Sequence, residues 1–115
     1  MADILDFLEP AETAAYSSID QIKEKIRRRR AQMLIHSCIY YELNDNIISD
    51  HKWQEWADEL QQLQAAWPEL IKIDFFDWEF RDWDGATGNH LPHRHPWVYS
   101  KAQYILMLAR KDSNV

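Results

Sequence analysis

The sequence predicts an all-α protein: a small bundle of about four helices built around an antiparallel helical hairpin. Only two glycines and four prolines occur in 115 residues, so few positions interrupt a helix. Apolar residues recur at the i, i+3, i+4, i+7 spacing of helices that are buried on one side. A chain of this length predicts one domain, and 46% hydrophobic residues exclude a disordered chain.

The hairpin is predicted from two helices and the short polar loop between them. Ser18 and Gln21 have capping-box spacing, which predicts a first helix over 18–43. Ser49 is a suitable N-cap for a second helix over 50–66. Helices joined by a short loop pack as antiparallel neighbours. The end of the first helix, the loop and the start of the second helix are therefore expected at one end of the pair.

The composition of the remaining segments predicts which of them are helices and which are loops. The segment after the second helix is dense in aromatic residues and predicts a third helix, while two prolines and a glycine predict one long loop before the last helix. The single domain is expected over 18–111. The other predicted segments are an acidic N-terminal arm at 1–17, a third helix at 69–83, a loop at 85–96, a last helix at 96–111 and a tail at 112–115.

The composition limits the classes of binding partner and the cellular compartment that we expect for this protein. The formal net charge is −6, so the surface as a whole does not attract nucleic acid or anionic membranes. No stretch approaches the roughly 20 apolar residues that a membrane span needs, and the N-terminus lacks a signal-peptide pattern. The single cysteine, Cys38, fits a reducing compartment. These features predict an intracellular protein in the cytoplasm, without a membrane partner.

Four consecutive arginines at 27–30 are the strongest local charge signal. Successive helical residues turn by about 100°, so the four point around the helix and cannot form one flat patch. At least one must cross the buried side, with its stem packed and its head reaching solvent. The favoured interpretation is a solvated helix with ion pairs to the acidic arm or to the second helix. The alternative is a phosphate or nucleic-acid contact, with Arg27 and Arg30 as the phosphate-binding residues.

The shared end of the hairpin carries the candidate binding residues. Three flat rings and one carboxylate are expected to converge there, which suits a planar and cationic ligand. The predicted ligand-binding residues are Tyr40, Tyr41, Asp50, Trp53 and Gln54.

The long loop carries His90, His93 and His95 within six residues. Imidazoles are common metal ligands, but this spacing, interrupted by prolines, matches no standard zinc motif. An exposed and partly pH-sensitive loop is the favoured interpretation, and a metal site is the weaker alternative.

Two segments of the hairpin, YYELNDNIISDHKW at 40–53 and LQQLQAAWPEL at 60–70, carry a family pattern. They resemble the N-terminal Ia domain of bacterial NAD-dependent DNA ligases, with its paired aromatics, its Ile-Ser-Asp helix start and its Pro-Glu-Leu helix end. The resemblance extends over 34–70, about a third of the chain. The whole chain is also similar to small ligase-related proteins encoded by phages and prophages.

The resemblance implies a ligand and a role for each candidate residue. In the ligases this domain binds the nicotinamide mononucleotide half of NAD. Tyr40 matches the aromatic residue that stacks on nicotinamide, and Asp50 matches the acidic residue after Ser. Tyr41 stands where the family often has His, and Trp53 stands where it has Tyr. Gln54 replaces a second Asp, which removes one anion from the neighbourhood of a pyridinium.

Catalysis is not implied by the resemblance. Ligase adenylation needs a Lys-x-Asp-Gly motif on a separate domain, and the similar string at 82–85, DWDG, has Asp where the lysine must be. No catalytic residue is predicted: Cys38 is expected to be an inert core thiol. His36 and His51, near the predicted pocket, are weaker acid–base candidates.

The predicted function is therefore a non-catalytic, phage-encoded binding protein with no required cofactor. Its ligand is expected to be nicotinamide mononucleotide, an NAD-derived molecule or another nucleotide, and binding would sequester a signal used in host defence. The alternative is an interaction module that keeps the ligase scaffold without its ligand and binds a host or phage protein. A nucleic-acid contact through Arg27–Arg30 is the third interpretation.

Overall fold

The computed structural model describes residues 18–113, with side chains described as far as 111. This part of the chain contains helices and no strand, which confirms the all-α prediction. The predicted arm at 1–17 and the last two residues of the predicted tail lie outside the described residues. The elements are α1 (Ser18–Tyr41), α2 (Asp50–Ala66), a 3-10 turn (Pro68–Leu70), α3 (Asp77–Phe80) and α4 (Pro96–Ser113).

The predicted hairpin is confirmed almost to the residue. The helix α1 ends two residues before the expected position, and α2 has the expected bounds. Ser49 is the N-cap of α2, and its hydroxyl accepts a hydrogen bond from the Lys52 backbone N–H at 3.0 Å. Asn44 turns the connecting loop with a left-handed φ of 53°, a conformation that Asn tolerates. The loop therefore returns the chain within a few residues and leaves one end of the pair open.

The helix α1 is central because it packs against both α2 and α4. Its second half is buried almost continuously, and the core closes around it from all sides. The buried apolar side chains of α1 are Ile26, Ala31, Met33, Leu34, Ile35, Cys38 and Ile39. Those that pack on them include Trp56, Ala57 and Leu60 from α2, Phe75, Phe80, Trp83 and Leu91 from the following segment, and Val98, Ala102 and Ile105 from α4.

A completely buried arginine organises the opposite side of the core. The Arg30 side chain has 0% exposure. Its guanidinium donates to the Gln64 side-chain oxygen at 2.9 Å, to the Phe75 and Ile71 carbonyls at 2.8 Å each, and to Asp77 at 2.7 Å. The expectation that the arginine crossing the buried side would reach solvent is wrong. The protein folds a loop around the charge because a buried cation needs a complete set of acceptors.

This arginine also explains why the predicted third helix over 69–83 is wrong. The structure has only a 3-10 turn and the single-turn α3 in this range. Between them, Asp74 and Phe76 have left-handed φ values of 57° and 54°, which interrupt a helix. The Asp77 carboxylate accepts hydrogen bonds from the backbone N–H groups of residues 73, 74 and 75. The segment therefore coils around Arg30 and Asp77 instead of continuing a helical pattern.

The helix α4 closes the bundle. It begins at Pro96, as predicted, and extends two residues beyond the expected end. Near its C-terminus Arg110 forms an ion pair with Asp45 of the α1–α2 loop, and this hydrogen bond lowers the pKa of the Asp45 carboxyl. The last helix thus anchors the loop at the open end of the hairpin. Within residues 18–113, every helix is too short or too polar to cross a membrane.

Candidate functional site

A cleft of about 260 Å³ lies at the open end of the hairpin. All five predicted ligand-binding residues line it, so the structure brings them together as expected: Tyr40, Tyr41, Asp50, Trp53 and Gln54. The other lining residues are His36 and Ser37 from α1, Asn46, Ile47, Ile48 and Ser49 from the loop, and Ala86, Thr87 and Gly88 from the segment before α4.

The aromatic side chains at the rim differ in how firmly they are held. Tyr40 and Tyr41 are 55% and 45% exposed and contact each other edge to face, with ring centroids 4.8 Å apart. Tyr41 also stacks on the His93 ring at 5.1 Å with an interplanar angle of 12°. Trp53 is half-buried and meets Trp83 of the core at 6.2 Å. The cleft therefore presents accessible ring faces on a rigid support, which suits stacking of a flat ligand.

The third side of the cleft is a wall formed by residues 85–88, which sequence reasoning missed. Its two ends are fixed through backbone carbonyls. The Gln54 side-chain amide donates to the Gly85 carbonyl at 2.9 Å, and His93 Nε2 lies 2.6 Å from the Gly88 carbonyl oxygen. Thr87 lies between them, with its hydroxyl 3.4 Å from that of Tyr41. Gln54 thus holds the wall in place by a hydrogen bond, which explains why a side chain with an N–H donor occupies this position.

The wall lies directly on α1 at Gly88. A Cβ atom added there would be 2.1 Å from Ser37 Oγ and 3.3 Å from Cζ2 of Trp53, so only glycine allows this approach. The Ser37 hydroxyl is buried under the wall and has no hydrogen-bond partner. The only sequence signal for the wall was that both glycines of the chain lie within it.

The charge of the cleft comes from one side chain. Among the described residues, Asp50 is the only Asp, Glu, Lys or Arg that lines it. Just outside the rim, Arg94 donates to Glu42 at 2.9 Å, and this hydrogen bond, helped by the nearby His93, lowers the pKa of the Glu42 carboxyl. The cleft is therefore acidic inside, with neutralised ion pairs at its edge.

The three loop histidines are not grouped together in the structure. Within the described part of the chain, no group of three His, Cys, Asp or Glu side chains is placed to hold a metal ion. His93 stacks on Tyr41, His90 lies against Trp83 and His95 lies against Phe76. The structure gives no support to the weak metal assignment for His90, His93 and His95, because each ring packs against a different aromatic partner.

The arginine run lies away from the cleft, and most of its guanidinium groups are already used. Arg28 pairs with Glu24 and Arg29 with Glu59 of α2, the latter as predicted. Arg30 is buried, so its guanidinium is not accessible to a phosphate. Arg27 covers the Phe75 ring at 4.3 Å. The four residues therefore form no common anion-binding patch.

The thiol of Cys38 should be unreactive in the folded protein. Burial and, secondarily, the nearby Glu42 raise its pKa to about 11, and Sγ donates to the His93 carbonyl at 3.3 Å. Because the thiolate is the reactive form, we expect no measurable reaction with a thiol-specific disulfide reagent at pH 7.5, and one equivalent of reaction in denaturant. Rapid labelling of the native protein would contradict this placement.

A helical hairpin with an aromatic, acidic cleft at its open end has the geometry of the clefts between helices in which proteins bind small molecules. Residues 19–75 match the family model described as the DNA ligase-like, N-terminal NAD+-binding domain. This segment, which contains α1, α2 and the loop around Arg30, therefore belongs to that family. The matched part supplies most of the cleft, whereas the wall at 85–88 lies beyond it.

Curated relatives agree with this assignment. The chain is 35% identical over 57 residues to a DNA ligase of Lactobacillus delbrueckii subsp. bulgaricus, covering 50% of this chain. It is 36% identical over 55 residues to a DNA ligase of Pseudothermotoga lettingae and 33% identical over 54 residues to one of Methylococcus capsulatus, covering 48% and 47% of this chain. In each case the chain spans about 8% of the relative's length. No solved structure matches the chain significantly.

Proposed function

We propose that this protein is a non-catalytic binding protein for a nicotinamide-type ligand, which it holds in the cleft at the open end of the α1–α2 hairpin. The observation that carries the proposal is the convergence of Tyr40, Tyr41, Trp53 and Asp50 on one cleft. Aromatic faces stack on a planar ring and a carboxylate attracts a positive charge. A pyridinium ring with a carboxamide combines these properties, and the family of the matched segment supports an NAD-related ligand.

The absence of catalysis is part of the proposal and rests on the groups around the cleft. Hydrolysis or group transfer would need an activated nucleophile or a positioned acid–base pair. The one thiol, Cys38, is buried and has a raised pKa. The imidazole of His36 is 5% exposed and packs against Trp56 at 5.6 Å, which leaves it little access to a ligand. The cleft is thus equipped for recognition, not for bond breaking.

A protein that binds a ligand without converting it changes the free concentration of that ligand. We therefore propose a sequestering role for an NAD-derived molecule in the cytoplasm of a bacterial host, and a phage origin for the protein. The support for this setting is the sequence resemblance to phage-encoded ligase-related proteins and the single unpaired cysteine.

The proposal is tested by thermal shift and isothermal titration calorimetry with nicotinamide riboside, nicotinamide mononucleotide and NAD. A ligand at 100 times its Kd stabilises a protein by about 2.7 kcal/mol, so binding of any of the three should raise the Tm. Tyr40→Ala should weaken binding roughly 5- to 150-fold, because ring stacking contributes about 1–3 kcal/mol. Trp78→Ala is the control, since this exposed ring lies outside the cleft. Failure of all three probes to bind would refute the proposal.

A second candidate function is an interaction module that binds a host or phage protein. One observation favours it: Trp78 is 72% exposed and is covered only on one face by Arg81, whose guanidinium carbon lies 3.9 Å from the ring centroid. Exposed Trp and Arg side chains are typical of interface hot spots. If none of the nicotinamide probes binds while a partner recovered from host extract is lost with Trp78→Ala, this function would replace the first.

A further inference from the structure

We infer that the cleft selects the unphosphorylated form of its ligand, a cationic pyridinium nucleoside, over the corresponding nucleotide. This inference rests on the proposed function and names the ligand class of the same site. The inference depends on the charge of the residues that line the cleft. Cations stabilise a negatively charged phosphate, whereas anions stabilise a positively charged pyridinium.

The lining supplies an anion for the pyridinium and no cation for a phosphate. Proteins hold phosphate groups mainly with Arg and Lys side chains or with exposed helix N-termini. Among the described residues that line the cleft there is no Arg and no Lys, and Asp50 is the single formal charge. A phosphate monoester carries about −1.5 to −2 charges at pH 7 and would be repelled by this carboxylate.

Three basic side chains near the cleft do not change this balance, because each is already paired with a carboxylate close to the lining residues. Residues 1–17, whose positions the structure does not describe, contain no Lys and no Arg, so that segment brings no basic side chain. The pairs are Arg94 with Glu42, Arg110 with Asp45, and Lys52 with Glu55.

The N-terminus of α2 also faces the cleft and is the remaining candidate for holding an anion. One of its N–H groups, that of Lys52, already donates to the Ser49 hydroxyl, and Asp50 places a negative charge in the first turn. The helix dipole therefore stabilises the protein's own carboxylate. A ligand phosphate would have to compete with that carboxylate.

The size of the cleft agrees with this choice. Its volume of about 260 Å³ lies just below the roughly 300–1,000 Å³ that is typical of small-molecule sites. The wall at 85–88 limits it on one side and is held by Gln54 and His93. A ring with its sugar is therefore a better match than a dinucleotide, whose second half would extend past the rim.

The test compares nicotinamide riboside with nicotinamide mononucleotide by titration calorimetry on the full chain at low ionic strength. Two negative charges about 8 Å from a carboxylate in water are expected to weaken binding about five-fold, so the riboside should bind about five-fold tighter. The difference should shrink at about 0.5 M salt because screening shortens the range of the repulsion.

A variant of Asp50 and an uncharged probe test whether this carboxylate causes the preference for the riboside. Asp50→Asn should remove the preference for the riboside over the mononucleotide, and should weaken riboside binding without changing the affinity for the neutral dihydronicotinamide riboside. Asp82→Asn is the matched control, because the Asp82 side chain is 87% exposed and lies outside the cleft. Equal or tighter binding of the mononucleotide would overturn the inference and leave the proposed function standing. No binding of either probe would overturn the inference, and the proposed function would fall as well only if NAD also failed to bind.

Discussion

Asp77→Ala is expected to destabilise the protein by about 3–5 kcal/mol, because it leaves the buried Arg30 charge without its partly exposed carboxylate partner. The variant removes the carboxylate that accepts from the Arg30 guanidinium, which has no access to water. It also leaves the N–H groups of residues 73, 74 and 75 without their common acceptor. Since small domains have total stabilities of about 5–15 kcal/mol, urea denaturation should reveal a large loss.

The control for this prediction is Asp82→Ala, the same substitution in an exposed ion pair. Asp82 pairs with Arg81 at 3.5 Å with 87% of its side chain exposed, so its loss should cost less than about 1 kcal/mol. Equal destabilisation by the two variants would contradict the role of the buried network.

The same network predicts a dependence of stability on pH. Burial alone would raise the Asp77 pKa, but hydrogen bonds from Arg30 and from three backbone N–H groups outweigh it and lower the pKa below its usual 3.8. A carboxyl whose folded pKa is depressed stabilises the protein above the unfolded value and loses this contribution as the pH falls through the folded pKa. The difference in stability between wild type and Asp77→Ala should therefore be constant near neutral pH and shrink below about pH 3.8.

The hairpin could be predicted from sequence because its signals are local. The N-cap at Ser49 and the short polar loop each act over a few residues, and both are found as expected. The segment at 69–83 could not be predicted in this way, since its shape is set by Arg30, more than 40 residues away. Aromatic residues at helical spacing indicated a helix, but the need to surround a buried cation overrode that pattern.

The candidate site also has one part that could be predicted from the sequence and one part that could not. The part on the hairpin was predictable, because antiparallel packing alone brings Tyr40, Asp50 and Trp53 to one end. The wall was not, since its position depends on a hydrogen bond from Gln54, 31 residues before Gly85, and on His93, whose ring is held against Tyr41 of α1. Gln54 was expected to contact the ligand, whereas its side-chain N–H groups are directed to the wall and to Asp58.

Gly88→Ala should therefore be disproportionately harmful for a change of one methyl group. The added Cβ would lie 2.1 Å from Ser37 Oγ and 2.9 Å from Ser37 Cβ, so the wall or the helix must move. Overpacking of this kind costs about 1–3 kcal/mol, and displacement of the wall should weaken ligand binding as well. Gly88 does not have a left-handed φ, unlike Gly85, so the penalty is steric and not a matter of backbone strain.

Because the penalty of Gly88→Ala is steric, a second substitution at the contacting residue, Ser37, should relieve it. Ser37→Ala alone should be neutral or slightly stabilising, because it removes a buried hydroxyl that has no hydrogen-bond partner. Added to Gly88→Ala, Ser37→Gly removes both clashing atoms and should restore ligand affinity, at a helix-propensity cost of about 1 kcal/mol. Thermal unfolding and ligand titration of the single and double variants measure this coupling. Strictly additive effects would mean that the wall does not lie on α1 at this point, because residues in direct contact are expected to show a measurable interaction energy.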